Sequence, residues 1–312
     1  MSLNATLPRA VTAPDPERTF RFGLRLAYWA AGLLLLALLI YGFDYYVSSP
    51  ELRALSPKRD YLKPSGTIGV HLGTLGFFLF LFVYLYPLRK HWAWLNRQGN
   101  SRHWLDVHVL LGLVTPLIIT FHSSFKFTGL AGVAYWIMVF VALSGVVGRY
   151  IYSQIPRSLN FAEMSLKDGQ EQSSQLAAQL SNLGIVSPRD VQRLLSLPDL
   201  GEAERMSLLK ALWRMMMFDL TFPVRVWRLR QKMIWSHGKR WSLVGFGRTQ
   251  NAPLERAISL AREQAQLSKK VLFLSKSKRL FNLWHVIHLP FSYSFAVLAL
   301  VHVVLMFMLG YY

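Results

Sequence analysis

The sequence Trp104-Leu-Asp-Val-His-Val-Leu-Leu-Gly-Leu-Val-Thr-Pro-Leu-Ile-Ile-Thr-Phe-His122 holds two histidines, His108 and His122, fourteen residues apart in one apolar stretch. A second apolar stretch repeats that spacing with His288 and His302. Fourteen residues are nearly four turns of an α-helix, so both histidines of a pair face one side, about 21 Å apart along the axis. The spacing predicts two helices that each present two imidazoles at matching levels.

Hydrophobic segments close to the length of about 20 residues that crosses a bilayer occur five times in the chain. They are Leu26–Phe43, Gly66–Leu85, Trp104–His122, Leu130–Ile151 and Leu283–Leu309. The first segment is followed by aromatic residues such as Tyr45 and Tyr46 and not by a signal-peptide cleavage pattern, so we expect it to persist as a helix. The pattern predicts an all-α integral membrane protein with five transmembrane helices.

These segments divide the chain into four parts. Residues 1–25 form an N-terminal tail, 26–153 carry transmembrane helices 1–4, 154–280 form a long basic insertion, and 281–312 carry transmembrane helix 5. The insertion is expected to be mainly helical, because amphipathic spacing recurs in three of its segments. Those segments are Glu171–Leu183, Arg189–Leu197 and Ala257–Leu272.

The distribution of charge predicts the orientation of the chain in the membrane. The insertion holds 21 Lys and Arg against 10 Asp and Glu, and the short loop 89–102 holds four basic residues and no acid. Because basic loops stay on the cytoplasmic side, we expect a cytoplasmic N-terminus and a periplasmic C-terminus in a bacterial inner membrane. The third and fifth spans would then run in the same direction. This predicts that His108 pairs with His288 on the inner side and His122 with His302 on the outer side.

The chain has 312 residues and no cysteine, so it cannot itself hold an iron–sulfur cluster, a disulfide or a haem attached through C-x-x-C-H. A glycine-rich dinucleotide signature is also missing, because Gly245-Phe246-Gly247 is only a fragment of one. Histidine is a strong axial ligand for haem iron, and polar side chains inside a bilayer are functional by default. The sequence therefore predicts two haem b groups, reduced by a partner or by a quinol.

The phrases His108-Val-Leu-Leu-Gly112 and Trp284-His-Val-Ile-His288-Leu-Pro-Phe291 resemble those of membrane b-type cytochromes. The chain is similar to the membrane domain of ferric reductases and NADPH oxidases and to the cytochrome b of quinol-oxidising complexes. The resemblance covers spans two to five and implies a haem-binding four-helix bundle and transmembrane electron transfer. The insertion 154–280 departs from both groups by its length. The resemblance implies haem and iron ligation by His108, His122, His288 and His302.

Other residues are candidates for contact with a cofactor. Gly112 would let a flat macrocycle approach its helix, although small residues also serve helix packing. Arg149 and His103 are candidate partners of haem propionates. The remaining candidates are His71, as ligand of a third haem, quinone partner or structural residue, and His285, as a supporting residue beside His288. A glycine stripe in the second span is predicted to serve helix packing, and its members are Gly66, Gly69, Gly73 and Gly76.

The stretch Pro223–Trp241 interleaves basic residues with tryptophan and aliphatic residues. This composition suits an interface with anionic lipid headgroups. A docking surface for an acidic electron-transfer partner is the competing interpretation. Nucleic-acid binding is not expected, since no nucleic-acid module accompanies the patch.

The predicted function is transfer of electrons across the membrane between a quinone pool or cytoplasmic donor and an external redox partner. We expect an electron-transfer subunit of an oxidoreductase complex more than a stand-alone enzyme, with a c-type cytochrome, flavoprotein or iron–sulfur protein as partner. A quinol-oxidising or metal-reducing haem enzyme is the alternative. A histidine-lined metal transporter or di-iron enzyme is less favoured, because only His285-x-x-His288 has the clustered spacing such sites need.

Overall fold

The computed structural model describes residues 15–155, 205–236 and 252–310, and these ranges contain helices and no strand. The all-α prediction is therefore confirmed for this part of the chain. The helices are α1 (Pro16–Val47), α2 (Pro50–Leu55), α3 (Arg59–Leu62), α4 (Thr67–Leu88), α5 (Ala93–Asn96), α6 (Ser101–His122), α7 (Gly129–Ser153), α8 (Leu208–Ser236), α9 (Ala252–Leu272) and α10 (Leu274–Met308).

Five segments within the described ranges are long and apolar enough to cross a membrane, and each covers a predicted span to within one residue. Their apolar side chains stay largely uncovered by protein: Val297, Val304 and Phe307 on α10 are 60%, 55% and 63% exposed. Lipid is the solvent that makes such exposure favourable. The chain is an integral membrane protein, and the spans are Pro16–Val47, Arg59–Leu88, Ser101–His122, Gly129–Ser153 and Lys276–Met308.

The chain forms two compact units, one of residues Met1–Val146 with Ile287–Tyr312 and the other of Val147–Val286. The second unit holds the described part of the insertion together with the adjoining ends of α7 and α10. The predicted helix Ala257–Leu272 is confirmed as part of α9. Several sequence predictions lie outside the described residues: the first fourteen residues of the tail, the helices Glu171–Leu183 and Arg189–Leu197, the Gly245–Gly247 fragment and the end of the Pro223–Trp241 stretch.

The core of the first unit lies where α1, α4 and α6 meet. Tyr46 of α1 packs edge to face on Phe121 of α6, with ring centroids 5.3 Å apart. Leu72 of α4 and Ile118 of α6 are buried in the same cluster. Since lipid offers little hydrophobic drive for helix association, close packing of this kind holds the helices together.

Two hydrogen bonds fix how α6 lies against α4. Nδ1 of His108 is 2.9 Å from the carbonyl oxygen of Val83, and Nδ1 of His122 is 2.8 Å from that of Gly69. The residue numbers rise along α6 as they fall along α4, so the two helices are antiparallel. The two bonds are fourteen residues apart on α6, from His108 to His122, and fourteen residues apart on α4, from Gly69 to Val83.

Contacts of α10 with α4 show the direction of the last span. The Tyr84 hydroxyl donates to the Ser292 carbonyl at 2.5 Å, and the rings of Phe80 and Phe295 meet edge to face at 4.9 Å. These pairs again run in opposite senses, so α10 is antiparallel to α4. It follows that α6 and α10 run in the same direction, as the charge pattern predicts for the third and fifth spans.

α7 joins the other side of α10. The Ser144 hydroxyl lies 2.7 Å from Nδ1 of His288, and the rings of Phe140 and Phe291 have centroids 4.8 Å apart. α7 is therefore antiparallel to α10. Within the first unit, side-chain contacts link four membrane helices: α6 to α4, α4 to α10, and α10 to α7.

The turn after α6 is held by a half-buried arginine. Arg53 donates to the carbonyls of Tyr46 and Ser124, and the buried Ser124 hydroxyl donates to the Leu62 carbonyl at 2.6 Å. Ser124 and Phe125 have φ of 49° and 61°, in the left-handed region that side chains rarely adopt. The arginine and hydroxyl bonds stabilise this turn two residues after His122.

The loop between α4 and α6 folds around Arg89, which is only 6% exposed. Its guanidinium lies 5.8 Å from the ring centre of Trp104. The planar group has five N–H donors, and here each nitrogen has an oxygen acceptor. The acceptors are the carbonyls of Leu95, Asn96, Gln98 and Gly99 and the hydroxyl of Ser101.

A half-buried carboxylate links three elements of the second unit. Tyr150 donates its hydroxyl proton to Asp219 of α8 at 2.8 Å, and Lys269 of α9 forms an ion pair with the other oxygen of Asp219. Burial lowers the pKa of Lys269, while the adjacent carboxylate opposes that shift. The pair lies among apolar side chains that include Met215 and Phe273.

A second ion pair joins α8 to α9. Arg230 donates two hydrogen bonds to Glu255, at 3.0 and 2.6 Å, in the bidentate geometry that favours Arg over Lys. These two pairs, at Asp219 and at Arg230, connect α8 and α9 at points eleven residues apart on α8. The helical prediction for the insertion is confirmed in the described ranges 205–236 and 252–280.

Replacing Arg89 should unfold the loop between α4 and α6. We expect Arg89→Gln to cost about 2–4 kcal/mol, because several buried carbonyls lose a charged donor. Arg89→Lys should not restore stability, since an ammonium cannot reach acceptors spread over the whole loop. Thermal unfolding in detergent measures both, with the exposed Arg97→Gln in the same loop as control. Equal stability of the Arg89 and Arg97 variants would contradict the role given to Arg89.

Candidate functional site

The candidate site is formed by the four histidines of the two repeated pairs. His108 and His122 lie on α6, and His288 and His302 lie on α10. All four belong to the first compact unit and are half-buried. An imidazole in an apolar bundle needs a hydrogen-bond partner, a ligand or both.

The partners of the α6 histidines decide which ring nitrogen carries the proton. A carbonyl oxygen only accepts hydrogen bonds, so Nδ1 of His108 must be protonated to bond Val83, and Nδ1 of His122 must be protonated to bond Gly69. In the neutral imidazole, Nε2 then carries the lone pair. This is the tautomer in which a histidine binds a metal through Nε2, with its other nitrogen held by an acceptor.

His288 reaches the same state through a hydroxyl. The Ser144 hydroxyl has one proton, and its oxygen lies 2.8 Å from the Val141 carbonyl, which can only accept. Ser144 therefore donates to Val141 and accepts from Nδ1 of His288 at 2.7 Å. The arrangement gives His288 the tautomer of the two α6 histidines, from a partner of different chemistry.

His302 stands at the level of His122. The two rings are close enough to interact electrostatically. α6 and α10 run in the same direction. The proximity of His122 to His302 and the bond from Tyr84 to Ser292 therefore place His302 at the level of His122 and His288 near the level of His108. We call the level of His122 and His302 the second rung, and that of His108 and His288 the first rung.

The first rung is located through α4. His108 bonds Val83, the next residue Tyr84 bonds Ser292, and His288 precedes Ser292 by about one turn. The second rung is located by the bond from His122 to Gly69. The two rungs are thus fourteen residues apart on α4, about 21 Å along its axis.

The glycine stripe of α4 does what the sequence predicts, and it also seats a histidine. A Cβ at Gly73 would lie 2.6 Å from Cε1 of His122, and a Cβ at Gly76 would collide with the side chain of Ile119. Real Cβ atoms do not approach so closely, so the absence of a side chain at Gly73 is required for the position of the imidazole. A Cβ at Gly66 or Gly69 would instead collide with backbone carbonyls of residues 60–64, so the stripe packs against α6 at one end and against the segment before α4 at the other.

Gly112 lies in a different environment. No heavy atom is found within 4 Å of the place where its Cβ would be. It lies one turn after His108, on the side of α6 that carries both histidines. Helix packing therefore does not require glycine here, whereas access of a flat group to this side of α6 would benefit from it.

Three other candidate residues lie in the described part of the chain. His71 is exposed, and its Nδ1 bonds the Thr67 carbonyl of its own helix at 2.6 Å. Arg149 and His285 belong to the second unit, and the ring of His285 lies 6.1 Å from that of Trp284. These three residues stay candidates whose roles are untested.

His103 has a different partner from the one that its place at the helix end suggests. Its Nε2 lies 2.8 Å from a Glu17 carboxylate oxygen, and its ring stacks on Phe20 at 3.7 Å. The imidazole therefore already has an anionic partner, which the sequence prediction of a propionate contact did not include. Glu17 is 86 residues away in the chain, so no local pattern indicates the pairing.

Two features of the site have no signature in the sequence. One is the Gly69 carbonyl, a backbone group that any residue supplies. The Val83 carbonyl differs, because Pro87 four residues later has no N–H and so leaves this carbonyl without its intrahelical donor. Ser144 lies in the small-residue stretch before Arg149, and its value as a partner of His288 depends on the register of α7 against α10. That register becomes visible only in the folded protein.

Comparison with protein-family models, curated proteins and solved structures finds no match for this chain. Within the described ranges there is no group of three or more His, Cys, Asp or Glu residues that could enclose a metal ion. Axial ligation of a haem needs two histidines, one on each side of the ring, and does not require such a group.

Gly73→Ala should displace His122 and destabilise the first unit. Alanine normally gains about 1 kcal/mol over glycine inside a helix, but here its methyl group would overlap the imidazole, at a cost of about 1–3 kcal/mol. Gly32→Ala on α1, where nothing lies within 4 Å of the Cβ position, is the matched control. Thermal unfolding in detergent should show a lower midpoint for Gly73→Ala only. A shift of the same sign in both variants would argue against the close contact.

Proposed function

We propose that this chain is a di-haem b-type cytochrome that carries electrons across a membrane, with one haem at each rung. The observation that supports it most is the set of Nδ1 bonds to Val83, Gly69 and Ser144. They favour Nε2 ligation by histidines at two levels of one helix pair. An apolar bundle has no simpler use for imidazoles held in this state at this spacing.

The pairing of ligands follows from the directions of the helices. We propose His108 with His288 for one haem and His122 with His302 for the other. The common direction of α6 and α10 supports both pairs, since antiparallel helices would bring His108 beside His302. The proximity of the His122 and His302 rings supports the second pair separately.

The residues present fit the group. Four neutral imidazoles supply the donor set of two six-coordinate haems, and the absence of cysteine agrees with non-covalent b-type binding. Gly112 leaves the histidine side of α6 without a side chain one turn after His108. When bound, haem iron supplies reversible one-electron transfer, which no side chain on these helices can perform.

The protein's own groups would orient the ligands and tune their basicity. An acceptor on Nδ1–H makes the imidazole a better electron donor through Nε2 and prevents the ring from rotating. Val83 and Gly69 do this with rigid backbone carbonyls, and Ser144 does it with a hydroxyl. The hydrogen-bond acceptor on Nδ1 is therefore a backbone carbonyl for the two α6 histidines and a hydroxyl for His288.

The location and partners are part of the proposal. The basic loop around Arg89 and the basic insertion support a cytoplasmic N-terminus and a periplasmic C-terminus in a bacterial inner membrane. The first rung would then lie toward the cytoplasm and the second toward the periplasm. A quinone or cytoplasmic donor and an external acceptor, such as a c-type cytochrome, would meet the two ends. A flavoprotein or iron–sulfur subunit would serve equally as the cytoplasmic donor.

Haem quantification of histidine variants tests both the cofactor and its pairing. We expect two haem b per chain in the pyridine haemochrome assay and about one after His→Ala at any of the four positions. The double variant His108→Ala/His288→Ala should keep one haem, because both changes affect the same rung. His108→Ala/His302→Ala should keep none. The exposed His91→Ala is the control and should keep two.

The double variants separate the possible outcomes. If the His108/His288 variant loses both haems and the His108/His302 variant keeps one, the pairing is the crossed one and our assignment is wrong. If purified wild-type protein from haem-replete cells shows no Soret absorbance, the proposed function itself is wrong.

Ser144→Ala should change the potential of one haem only. Loss of the bond to Nδ1–H weakens His288 as a donor and favours the ferrous state, so the midpoint of the first-rung haem should rise. The expected rise is at most about 40 mV, because one hydrogen bond contributes about 1 kcal/mol and a one-electron couple moves about 59 mV per tenfold change. Redox titration measures it, with Ser153→Ala on the same helix as control. A shift of both midpoints together would contradict a local role.

A further inference from the structure

α8 has an apolar face whose side chains stay exposed within the described part of the second unit. Leu209, Trp213, Met216, Leu220 and Val224 are 78%, 61%, 42%, 67% and 41% exposed. Their spacing of four, three, four and four residues places them on one side of the helix. We call this set the Trp213 stripe. It extends over sixteen residues, from Leu209 to Val224, about 22 Å of helix.

The other side of the same helix is the one that packs into the unit. Its apolar residues have at most 8% of their surface exposed, and they are Ala211, Met215, Phe218, Phe222 and Val226. Asp219 lies on this side as well, bound to Tyr150 and Lys269. The fold of the unit therefore explains one face of α8 and leaves the stripe unexplained. A continuous apolar stripe of this length on a protein surface marks an interaction site.

Basic residues border the stripe on one flank. At 100° per residue, Lys210, Arg214 and Arg228 fall side by side next to it, between the stripe and the buried face. Asp219 is the only acidic residue of α8, and it is held on the buried side. The exposed surface of α8 thus combines apolar side chains, a tryptophan and positive charge, without an opposing carboxylate on the helix.

We propose that α8 lies in the plane of the bilayer surface, with the Trp213 stripe among the acyl chains and the basic flank on anionic phospholipid headgroups. Amphipathic helices that bind membranes have this division into an apolar face and a Lys/Arg-bearing flank, and tryptophan favours the interface. α8 is connected on both sides in the chain to membrane-spanning helices, α7 and α10. A bilayer is therefore always near, at no cost of association.

A lipid surface fits these observations better than a protein partner does. An acidic electron-transfer protein would match Lys210 and Arg228, but it would leave five exposed apolar side chains without use, since transient redox interfaces are small. A second copy of the chain would bring basic flank against basic flank, since the helix carries no exposed acid to pair with it. Anionic lipid supplies both missing partners at once, because its acyl chains cover apolar side chains and its phosphates accept from the bases.

The proposal extends the sequence interpretation of the insertion. Composition predicts a lipid interface in Pro223–Trp241, and the exposed apolar side chains of α8 already begin at Leu209, before that stretch. The inference does not depend on haem, because every residue in it belongs to the second unit.

A single introduced cysteine can test the position of the stripe, because the chain has none of its own. Leu220→Cys carries a nitroxide label in the full chain, reconstituted in nanodiscs of phosphatidylcholine with phosphatidylglycerol. Glu263→Cys, on an exposed position of α9, is the matched control. We expect loss of access for a water-soluble nickel chelate and retained access for oxygen at position 220. Position 263 should stay open to the chelate.

Other occupants give other results and would overturn the proposal. Full access of the chelate at position 220 would mean that the stripe stays in water, as a docking face for an absent protein would. Dipolar broadening between labels on two chains would identify a second copy. Haem content measured on the same sample shows whether the first unit is intact, so the outcome is separable from that of the proposed function.

The headgroup part is tested by removing charge. In the anionic nanodiscs, the double variant Lys210→Gln/Arg228→Gln should make the label at position 220 more accessible to the chelate. Its access should reach the level that the labelled protein with Lys210 and Arg228 intact shows in nanodiscs of pure phosphatidylcholine. Glu263→Gln with the same label is the control and should leave access unchanged. If chelate access at position 220 is the same with and without the two basic residues in both lipids, these residues do not bind headgroups. The headgroup part of the proposal is then wrong.

Discussion

Two hydrogen bonds from α6 to the backbone of α4 determine the geometry on which the candidate site depends. A carbonyl within a membrane helix already accepts one bond from its own helix, but its second lone pair is still available. At Gly69 the His122 imidazole uses that lone pair. At Val83 the His108 imidazole takes the place of the intrahelical donor, because Pro87, four residues later in α4, has no N–H. Gly73 makes the bond of His122 possible, because only a residue without a side chain lets His122 come so close to α4.

The same helix brings α10 into register. Tyr84 and Phe80 of α4 contact Ser292 and Phe295 of α10, so the level of each α10 histidine is set by contacts that the histidines themselves do not make. α4 carries none of the four candidate ligands, yet it aligns the helices that do. Variation on α4 would therefore shift the register of α10 against α6 without touching a ligand.

Much of this architecture follows from patterns that the sequence displays. Five apolar segments of membrane length predict the five spans, and because consecutive spans alternate in direction, α6 and α10 are predicted to run the same way. The excess of basic residues predicts on which side each end lies. The sequence does not display which group accepts the hydrogen bond from Nδ1 of each candidate ligand. A backbone carbonyl has no residue type, and the pairing of Ser144 with His288 joins positions 144 residues apart, which only the packed register of α7 and α10 brings together.

The insertion shows a different limit. Proline usually ends a helix because it lacks an N–H and crowds the preceding turn. In the structure α8 runs from Leu208 to Ser236 with Pro223 exposed in its interior. The long-range pairs of Asp219 with Lys269 and Arg230 with Glu255 hold the helix on both sides of it. Propensity alone does not include such tertiary support.

The loop around Arg89 has a consequence for the way the chain is inserted. All the hydrogen-bond acceptors around this guanidinium are uncharged, four carbonyls and one hydroxyl, so the loop is folded by a cation that no carboxylate neutralises. Its positive charge still counts against translocation, although its side chain is almost fully buried. One residue thus organises the finished loop and also contributes to the electrostatic bias that holds the loop on its own side of the membrane.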